Sequence, residues 1–437
     1  MTDTIYALAT APGRAAVAVV RMSGPGSDAA IVALTKRPAP TPRMAVLRKL
    51  FDPFSGDPLD EAIVLRFPGP GSFTGEDVAE LHLHGGMAVI AGVMDALDRL
   101  GLKIAAPGQF TRRAFEHGRL TLSEAEAVAD LIDAESTAQR RQAINQLGGA
   151  LDSRFSAWRE ALISSLALIE AAIDFPDEDL PEAVAAGALS ILEGLKFDLS
   201  RAEGDARGQH IRLGYRIALV GAPNAGKSSL FNALIGRDAA IVTRIAGTTR
   251  DVIEAPMTLG GYQVVLADTA GLHEAQDPIE IEGMRRARNW AATAALRIHV
   301  VDLSRRDTDP PDNEGPLLGA EDWTVGTKLD LLGREGTLFE VDTSDEAAVA
   351  RLRTALADHV ATALSGSDFP SATRERHREL IGEAIACLDR AIAAFGSSPE
   401  LVGEDIRLAA RALERLSGQI NAETVLERVF STFCIGK

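Results

Sequence analysis

The sequence predicts a multidomain chain of α/β and α class: an N-terminal α/β domain, an all-helical domain split in two, and a second α/β domain inserted between the halves. Three observations predict it. A glycine-rich stretch, Gly221-Ala-Pro-Asn-Ala-Gly226-Lys227-Ser228, sits between a strand-like run and a helical pattern near the middle of the chain. On either side of that block, from about residue 120 to 203 and from about 370 to 431, apolar residues recur at helical spacing. Residues 1 to about 118 instead alternate short apolar runs with glycine- and proline-rich punctuation, as strands and turns do.

In order along the chain, AAVAVVRMSG (Ala15 to Gly24) is an apolar run of strand length. EAIVLRF and ELHLHGG read as further strands, the second alternating Leu81 and Leu83 against His82 and His84. GGMAVIAGVMDALDRLG reads as an amphipathic helix closed by a glycine. The helical region opens on a capping box, Thr121 followed by Glu124, with Val128, Leu131 and Ile132 at helical spacing behind it. SAWREALISSLALIEAAIDF continues the helical pattern and, after a Pro/Asp/Glu break, runs to about Glu203. Strands and helices alternate again from about 213 to 365.

A chain of 437 residues has room for two to four domains. Its 24% charged and 46% hydrophobic residues are those of a soluble globular protein. Cys387 and Cys434, the two cysteines, cannot build a disulfide framework or a four-ligand zinc site, so a reduced, cytoplasmic setting is expected. The N-terminus lacks the basic and apolar regions of a signal peptide. No run of about 18 apolar residues occurs, so no membrane span is expected. The net charge of −17 argues against coating nucleic acid by bulk electrostatics and leaves open a local basic patch, with Arg140 and Arg141 as candidates.

The inserted block carries the chemistry. Ile217 to Val220 lead into G-x-x-x-x-G-K-S, whose glycines let main-chain N–H groups curl around an anion at a helix N-terminus. Lys227 would reach the β- and γ-phosphates, and the Ser228 hydroxyl would ligate Mg²⁺. GTTRD offers Thr249 as a second hydroxyl ligand, and DTAGL, after the strand-like YQVVLA, puts Asp268 at a strand end facing the metal. Base reading would fall to Thr327-Lys328-Leu329-Asp330: Asp330 accepts from guanine and the Lys328 stem covers its ring, while Thr327 lacks the amide of the usual asparagine. The alternative for this segment is a Lys–Asp pair in an exposed loop. Leu272 follows DTAG where many such proteins have a water-orienting glutamine, so hydrolysis must borrow a group. Glu274, Asp277, Glu280 and Glu282 follow it, as helix charges or as that group.

TIYALATAPGRAAVAVVRMSG, SFTGEDVAELHLHGG, GAPNAGKSS, IVTRIAGTTRD, DTAGL and the terminal FCIGK, in this order, resemble the tRNA-modifying GTPases called MnmE or TrmE over essentially the whole chain. The resemblance implies residues 1–118 as a tetrahydrofolate-binding and dimerisation domain, and 119–210 as the first part of a helical domain. It implies 211–366 as an inserted P-loop, Ras-like G domain, and 367–437 as the second helical part with its CIGK motif. It also implies an FAD-containing partner, MnmG or GidA, with which an aminomethyl-type group is added to carbon 5 of the wobble uridine of certain tRNAs. The one-carbon donor would be 5,10-methylene- or 5-formyl-tetrahydrofolate, and the flavin would belong to the partner.

In this family the G domains resemble one another in dimerising with K⁺ to assemble the hydrolytic site. The resemblance implies nucleotide contacts from Asn224, Ala225, Gly226, Lys227, Ser228 and Ser229 in the phosphate loop. Thr243, Arg244, Ile245, Ala246, Gly247, Thr248 and Thr249 would follow, then Asp268, Thr269, Ala270 and Gly271, then Thr327, Lys328 and Asp330. Asn224, Thr243, Ile245 and Thr248 would close on K⁺, and Ser228 and Thr249 on Mg²⁺. Glu280 would orient the attacking water, which answers Leu272. Arg21, Glu80, Arg119 and Lys437 match the folate contacts, although the family often has lysine at Arg119. Cys434 would be delivered with Lys437 towards the folate domain, in or near the modification chemistry, and Val425, Phe430 and Phe433 would dock the last helix. Two other readings are weaker. HLHGG suggests an esterase oxyanion hole without a G-x-S-x-G elbow, and His82 with His84 lacks a third metal ligand. The remaining alternative is a regulatory GTPase of the ribosome-assembly type that binds RNA without modification chemistry.

Overall fold

The computed structural model describes residues 3–174, 182–236, 253–269, 278–304, 322–328, 339–366, 369–370, 372–395, 398–418, 429–431, 433 and 436. They form two compact units. Residues 1–129, 146–193 and 386–437 belong to the first, and 130–145 and 194–385 to the second.

The first unit is built on a six-stranded sheet. Its elements run β1 (Ile5–Leu8), β2 (Val17–Ser23), α1 (Ser27–Thr35), β3 (Val46–Phe51), β4 (Pro58–Phe67), β5 (Val78–His84), α2 (Met87–Arg99), β6 (Lys103–Ile104), α3 (Gln109–Glu116) and α4 (Leu122–Ile132). The strand order is β3-β4-β5-β2-β1-β6, and every pairing is antiparallel except that of β1 with β6. Alternation decides which residues enter the core. Val20, Met22, Val64, Leu81 and Leu83 pack with Ile31 and Leu34 of α1 and with Val93 and Leu97 of α2. The other face keeps polar groups, and there Arg21 of β2 lies directly opposite Glu80 of β5.

Between Thr121 and Leu147 the helical pattern breaks once. The capping box opens α4 as expected: the Thr121 N–H donates to Glu124 Oε2 at 2.8 Å and the Glu124 N–H to Thr121 Oγ1 at 3.1 Å. A second helix, α5 (Thr137–Leu147), begins after Ser136, whose hydroxyl accepts from the Gln139 N–H at 3.2 Å. Three helices follow, α6 (Ala150–Asp174), α7 (Glu182–Gly204) and α8 (Arg207–Leu213).

The second unit holds the inserted sheet: β7 (Tyr215–Val220), α9 (Lys227–Ile235), β8 (Ile253–Leu259), β9 (Tyr262–Asp268), α10 (Pro278–Thr293), β10 (Leu296–Asp302), β11 (Trp323–Thr327), β12 (Phe339–Glu340) and α11 (Glu346–Leu364). The order is β12-β11-β10-β7-β9-β8, parallel apart from β8, which forms a hairpin with β9. Gly260 and Gly261, both at positive φ, make its two-residue turn, a geometry that side-chain-bearing residues resist. Both faces of the sheet are covered. Leu219, Leu266, Ile298 and Val300 pack with Leu230 and Leu234 of α9 and Leu352 and Leu356 of α11. Ala218, Val220 and Ala267 pack with Trp290 and Ala291 of α10. Such a sheet binds ligands at the carboxyl ends of its strands, where β7 and β9 end.

The chain closes with α12 (Glu375–Ala393) and α13 (Pro399–Ser417), the latter packed along α6. Among the described residues no helix is long and apolar enough to cross a membrane.

Candidate functional site

The phosphate loop forms where β7 stops. Gly221 at φ +140°, Asn224 at φ +63° and Gly226 at φ +96° reverse the chain within six residues, and α9 starts at Lys227. Gly221 is needed sterically, because a Cβ there would collide with the Val300 carbonyl. The Lys227 ammonium donates to the carbonyls of Gly221 and Ala222 at 2.6 and 2.9 Å, so its charge is held at the loop rather than extended into solvent. Lys227 is 5% exposed.

Next to it, the Ser228 hydroxyl donates to Asp268 Oδ2 at 2.5 Å. Asp268 is the last residue of β9 and is 1% exposed. Its other oxygen, Oδ1, is buried and has no hydrogen-bond partner among the described residues. An unsatisfied buried carboxylate oxygen is costly unless a cation or water faces it. A hydroxyl and one carboxylate at the mouth of a phosphate loop suit Mg²⁺, which takes one or two protein oxygens and completes its shell with phosphates and water. The geometry therefore fits the expected metal. Thr269 turns its hydroxyl back to the Leu219 carbonyl at 2.6 Å and braces β9 against β7.

Thr327 ends β11 and is buried, with its hydroxyl 2.5 Å from the Ala225 carbonyl of the phosphate loop and 3.2 Å from the Val301 carbonyl. A Cβ added at Gly226 would lie 3.0 Å from the same hydroxyl. Lacking an amide, Thr327 still ties β11 to the phosphate loop. Lys328, at φ +60°, places its ammonium 2.6 Å from Asp302 Oδ2 at the end of β10. Burial pushes the Asp302 carboxyl up, but Lys328 and the Ser304 hydroxyl and N–H outweigh it and hold the carboxyl below the ordinary range.

In the first unit, Arg21 Nε donates to Glu80 Oε1 at 2.9 Å, and His82 Nε2 lies 3.2 Å from Glu80 Oε2. The Arg21 guanidinium also lies 5.9 Å from each of the ring centres of Phe73 and Phe110. Phe73 is 39% exposed. A planar cation, a carboxylate and an exposed aromatic ring together suit a flat heteroaromatic ligand with an anionic tail. Arg119 is exposed; its Cγ lies 3.4 Å from where a Cβ on Gly75 would be, two residues along the same loop from Phe73. Beneath lies a buried pair, Arg113 Nη1 to Glu76 Oε2 at 2.7 Å, with the Ser23 hydroxyl donating to the same oxygen. Sequence reasoning missed this pair, because it joins residues 37 apart with no shared motif.

The tail reaches this unit. Phe430 and Phe433 are buried against Ala125 and Phe115. Gly108, at φ +67°, sits under the Phe430 carbonyl. Gly436, at φ +97°, lies against the main chain of Leu8 and Ala9, too close for any Cβ. Leu8 ends β1, and its neighbour Ala7 pairs with Arg21. Both phenylalanines are thus docked as expected. Val425, Cys434 and Lys437 lie outside the described residues, as do Thr243, Arg244, Ile245, Ala246, Gly247, Thr248, Thr249, Ala270, Gly271 and Asp330. Glu280 falls in α10, with its side chain outside them. Asn224 and Ser229 are exposed and Ala225 is buried. His84 pairs with Asp60 at 2.7 Å, and among the described residues no cluster of three or more His, Cys, Asp or Glu could hold a metal.

Comparison with known proteins places this geometry in a family. Residues 4–119 match the family described as "GTP-binding protein TrmE N-terminus", and 122–434 match the "MnmE helical domain". A protein of Caulobacter vibrioides named tRNA modification GTPase MnmE is 54% identical over 455 aligned positions, covering 100% of both chains. One of the same name from Phenylobacterium zucineum is 53% identical over 451, again covering 100% of both. The G domain of the T. maritima FeoB iron transporter is 22% identical over 33% of this chain and 98% of its own, at a TM-score of 0.25. With relatives matched from end to end and two family models covering residues 4–119 and 122–434, the chain belongs to the MnmE/TrmE family of tRNA modification GTPases.

Proposed function

We propose that this chain is a cytoplasmic, homodimeric GTP hydrolase that acts in tRNA modification. With an FAD-containing MnmG/GidA-type partner it adds an aminomethyl-type group to carbon 5 of the wobble uridine of certain tRNAs, using a tetrahydrofolate one-carbon donor. The observation that carries the nucleotide part is the buried Asp268 Oδ1, without a partner among the described residues, beside the Ser228 hydroxyl at the mouth of the phosphate loop. Family membership supports the tRNA part, since the relatives are named for it.

In this reading 211–366 is the hydrolytic domain, 1–118 the folate and dimerisation domain, and 119–210 with 367–437 the helical domain. The loop amides from Asn224 to Ser229 cradle the phosphates, and Lys227 turns its ammonium from its own loop carbonyls to the β- and γ-oxygens. Ser228, Thr249 and Asp268 would hold Mg²⁺, which neutralises phosphate charge when bound. Asn224, with Thr243, Ile245 and Thr248, would hold K⁺, which supplies positive charge where the transition state gathers negative charge. Glu280 orients the attacking water, since Leu272 cannot. Arg21 and Glu80 bind the pterin and its tail, with Arg119 and Lys437 closing on the tail.

Phe433 and Gly436, which flank Cys434 in the sequence, dock on the unit that carries Arg21, which supports a role for Cys434 in or near the modification chemistry. The test is nucleoside analysis of tRNA from cells with and without the gene: loss of the modified wobble uridine is expected. Unchanged wobble uridines would leave a GTPase of the ribosome-assembly type. For the thiol, Cys434→Ser is expected to keep GTP hydrolysis and lose modification; a variant keeping both ends that role.

A further inference from the structure

Gln139, in the first turn of α5, has an amide saturated on both sides. Its Oε1 accepts from the Glu135 N–H at 3.0 Å, the Ser136 N–H at 2.9 Å and the Ser136 hydroxyl at 3.0 Å. Its Nε2 donates to the Arg212 carbonyl at 3.1 Å and to Oε1 of Gln263. Flipping the amide would set NH₂ against two N–H donors and oxygen against a carbonyl, so one orientation alone satisfies every partner. Gln263 Nε2 closes the circuit onto Glu135 at 2.8 Å, and the Ala138 N–H donates to the Gly261 carbonyl at 3.0 Å.

The two acceptors stand at the starts of two adjacent strands. Arg212 lies three residues before β7, which ends in the phosphate loop, and Gln263 is the second residue of β9, which ends in Asp268. The strands pair in parallel, Tyr215 opposite Val264 and Leu219 opposite Asp268. At about 3.3 Å per residue, Gln263 and Asp268 are about 17 Å apart along one stiff element. A cavity of about 210 Å³, lined among others by Asp133, Gln142 and Leu213, lies against this junction. There α5 is held by polar links, the Gln142 amide donating to the Gly208 carbonyl at 3.0 Å beside those of Gln139.

We infer that Gln139 is a positioning residue that couples the nucleotide site to α5: strand shifts that follow phosphate and metal contacts at Gly221 and Asp268 reach Gln139 through Arg212 and Gln263 and move α5 with them. This rests on the GTPase reading above and adds to it a route from hydrolysis into the helical segment.

The test is amide hydrogen exchange of the full chain, loaded with GDP or with a non-hydrolysable GTP analogue, in the wild type and in Gln139→Leu. Wild-type residues 136–147 should exchange at least about threefold differently between the two states. Gln139→Leu should abolish that difference while GTP affinity stays within about threefold of wild type. Gln263→Leu, which removes only the link to β9, should give an intermediate loss and keeps the test decisive if Gln139→Leu misfolds. A wild type that does not bind GTP overturns the GTPase reading and this inference together. A wild type that binds GTP without nucleotide dependence at α5, or variants that retain that dependence, overturn the coupling alone.

Discussion

The Ser228 hydroxyl and Asp268 meet at 2.5 Å from the two ends of the motif pair, one at the start of α9 and the other at the end of β9, leaving Asp268 Oδ1 buried and without a partner among the described residues. The contact holds together two oxygens that would bind Mg²⁺, one on exposed Ser228 and one on buried Asp268. Asp268→Asn removes the charge and keeps the shape. GTP binding in Mg²⁺ should weaken by about tenfold or more, with little change in EDTA, as titration with a fluorescent nucleotide would show. Equal weakening without the metal would assign Asp268 a purely structural role.

Thr327→Val deletes a hydroxyl at nearly constant volume and leaves the Ala225 carbonyl without that donor. Losing a buried hydrogen bond costs about 1–3 kcal/mol. The loop should loosen, and nucleotide affinity should fall by about tenfold in calorimetric titration. An unchanged affinity would show that the loop holds its shape without the tie to β11.

Hydrolysis should run severalfold or more faster in K⁺ than in Na⁺ at equal ionic strength, and Asn224→Ala should remove the difference. Glu280→Ala should lower kcat by about 10²-fold or more and spare GTP binding. Equal rates in both salts would count against a potassium site at Asn224.

Gly436→Val places a branched side chain at φ +97°, against the Leu8 and Ala9 main chain. The tail should lift from the sheet. Binding of 5-formyl-tetrahydrofolate, followed by equilibrium dialysis, should fall by about tenfold while GTP hydrolysis holds. Retained folate binding would separate the tail from that site.

His210 gives the second unit a pH dependence. Burial first, then the Arg378 charge, lowers its pKa, and its ring lies 5.6 Å from that of Tyr215. Because the folded pKa lies below the unfolded value of about 6.5, the unfolded chain binds more protons as pH drops. Stability is therefore complete above about 6.5 and declines as acid is added below it. Thermal unfolding of His210→Gln should show a shallower loss between about pH 6.5 and 5 than wild type. Parallel curves would shift the acid sensitivity to other groups.

Local rules were enough for much of this protein. The strand–loop–helix around Gly221 to Ser228, the capping box at Thr121, and the Leu81/Leu83 against His82/His84 alternation each depend on neighbours within a few residues, so sequence spacing carried them. The insertion of one α/β block into a helical pattern was legible for the same reason, as a change of hydrophobic period.

Other features needed the fold. Ser136 and Gln139 are a second capping box written in the sequence, yet only packing against residues 212 and 263 gives that glutamine more than a local role. Arg21 and Glu80 lie 59 residues apart in the sequence; pairing of β2 with β5 brings them together beside Phe73. Thr327 reads as a missing amide, and only the register of β11 beside β10 carries its hydroxyl to Ala225. The division is physical. Helix caps and glycine turns are satisfied by atoms close in sequence, whereas buried carboxylates and amides find their partners through sheet register, which depends on the whole chain at once.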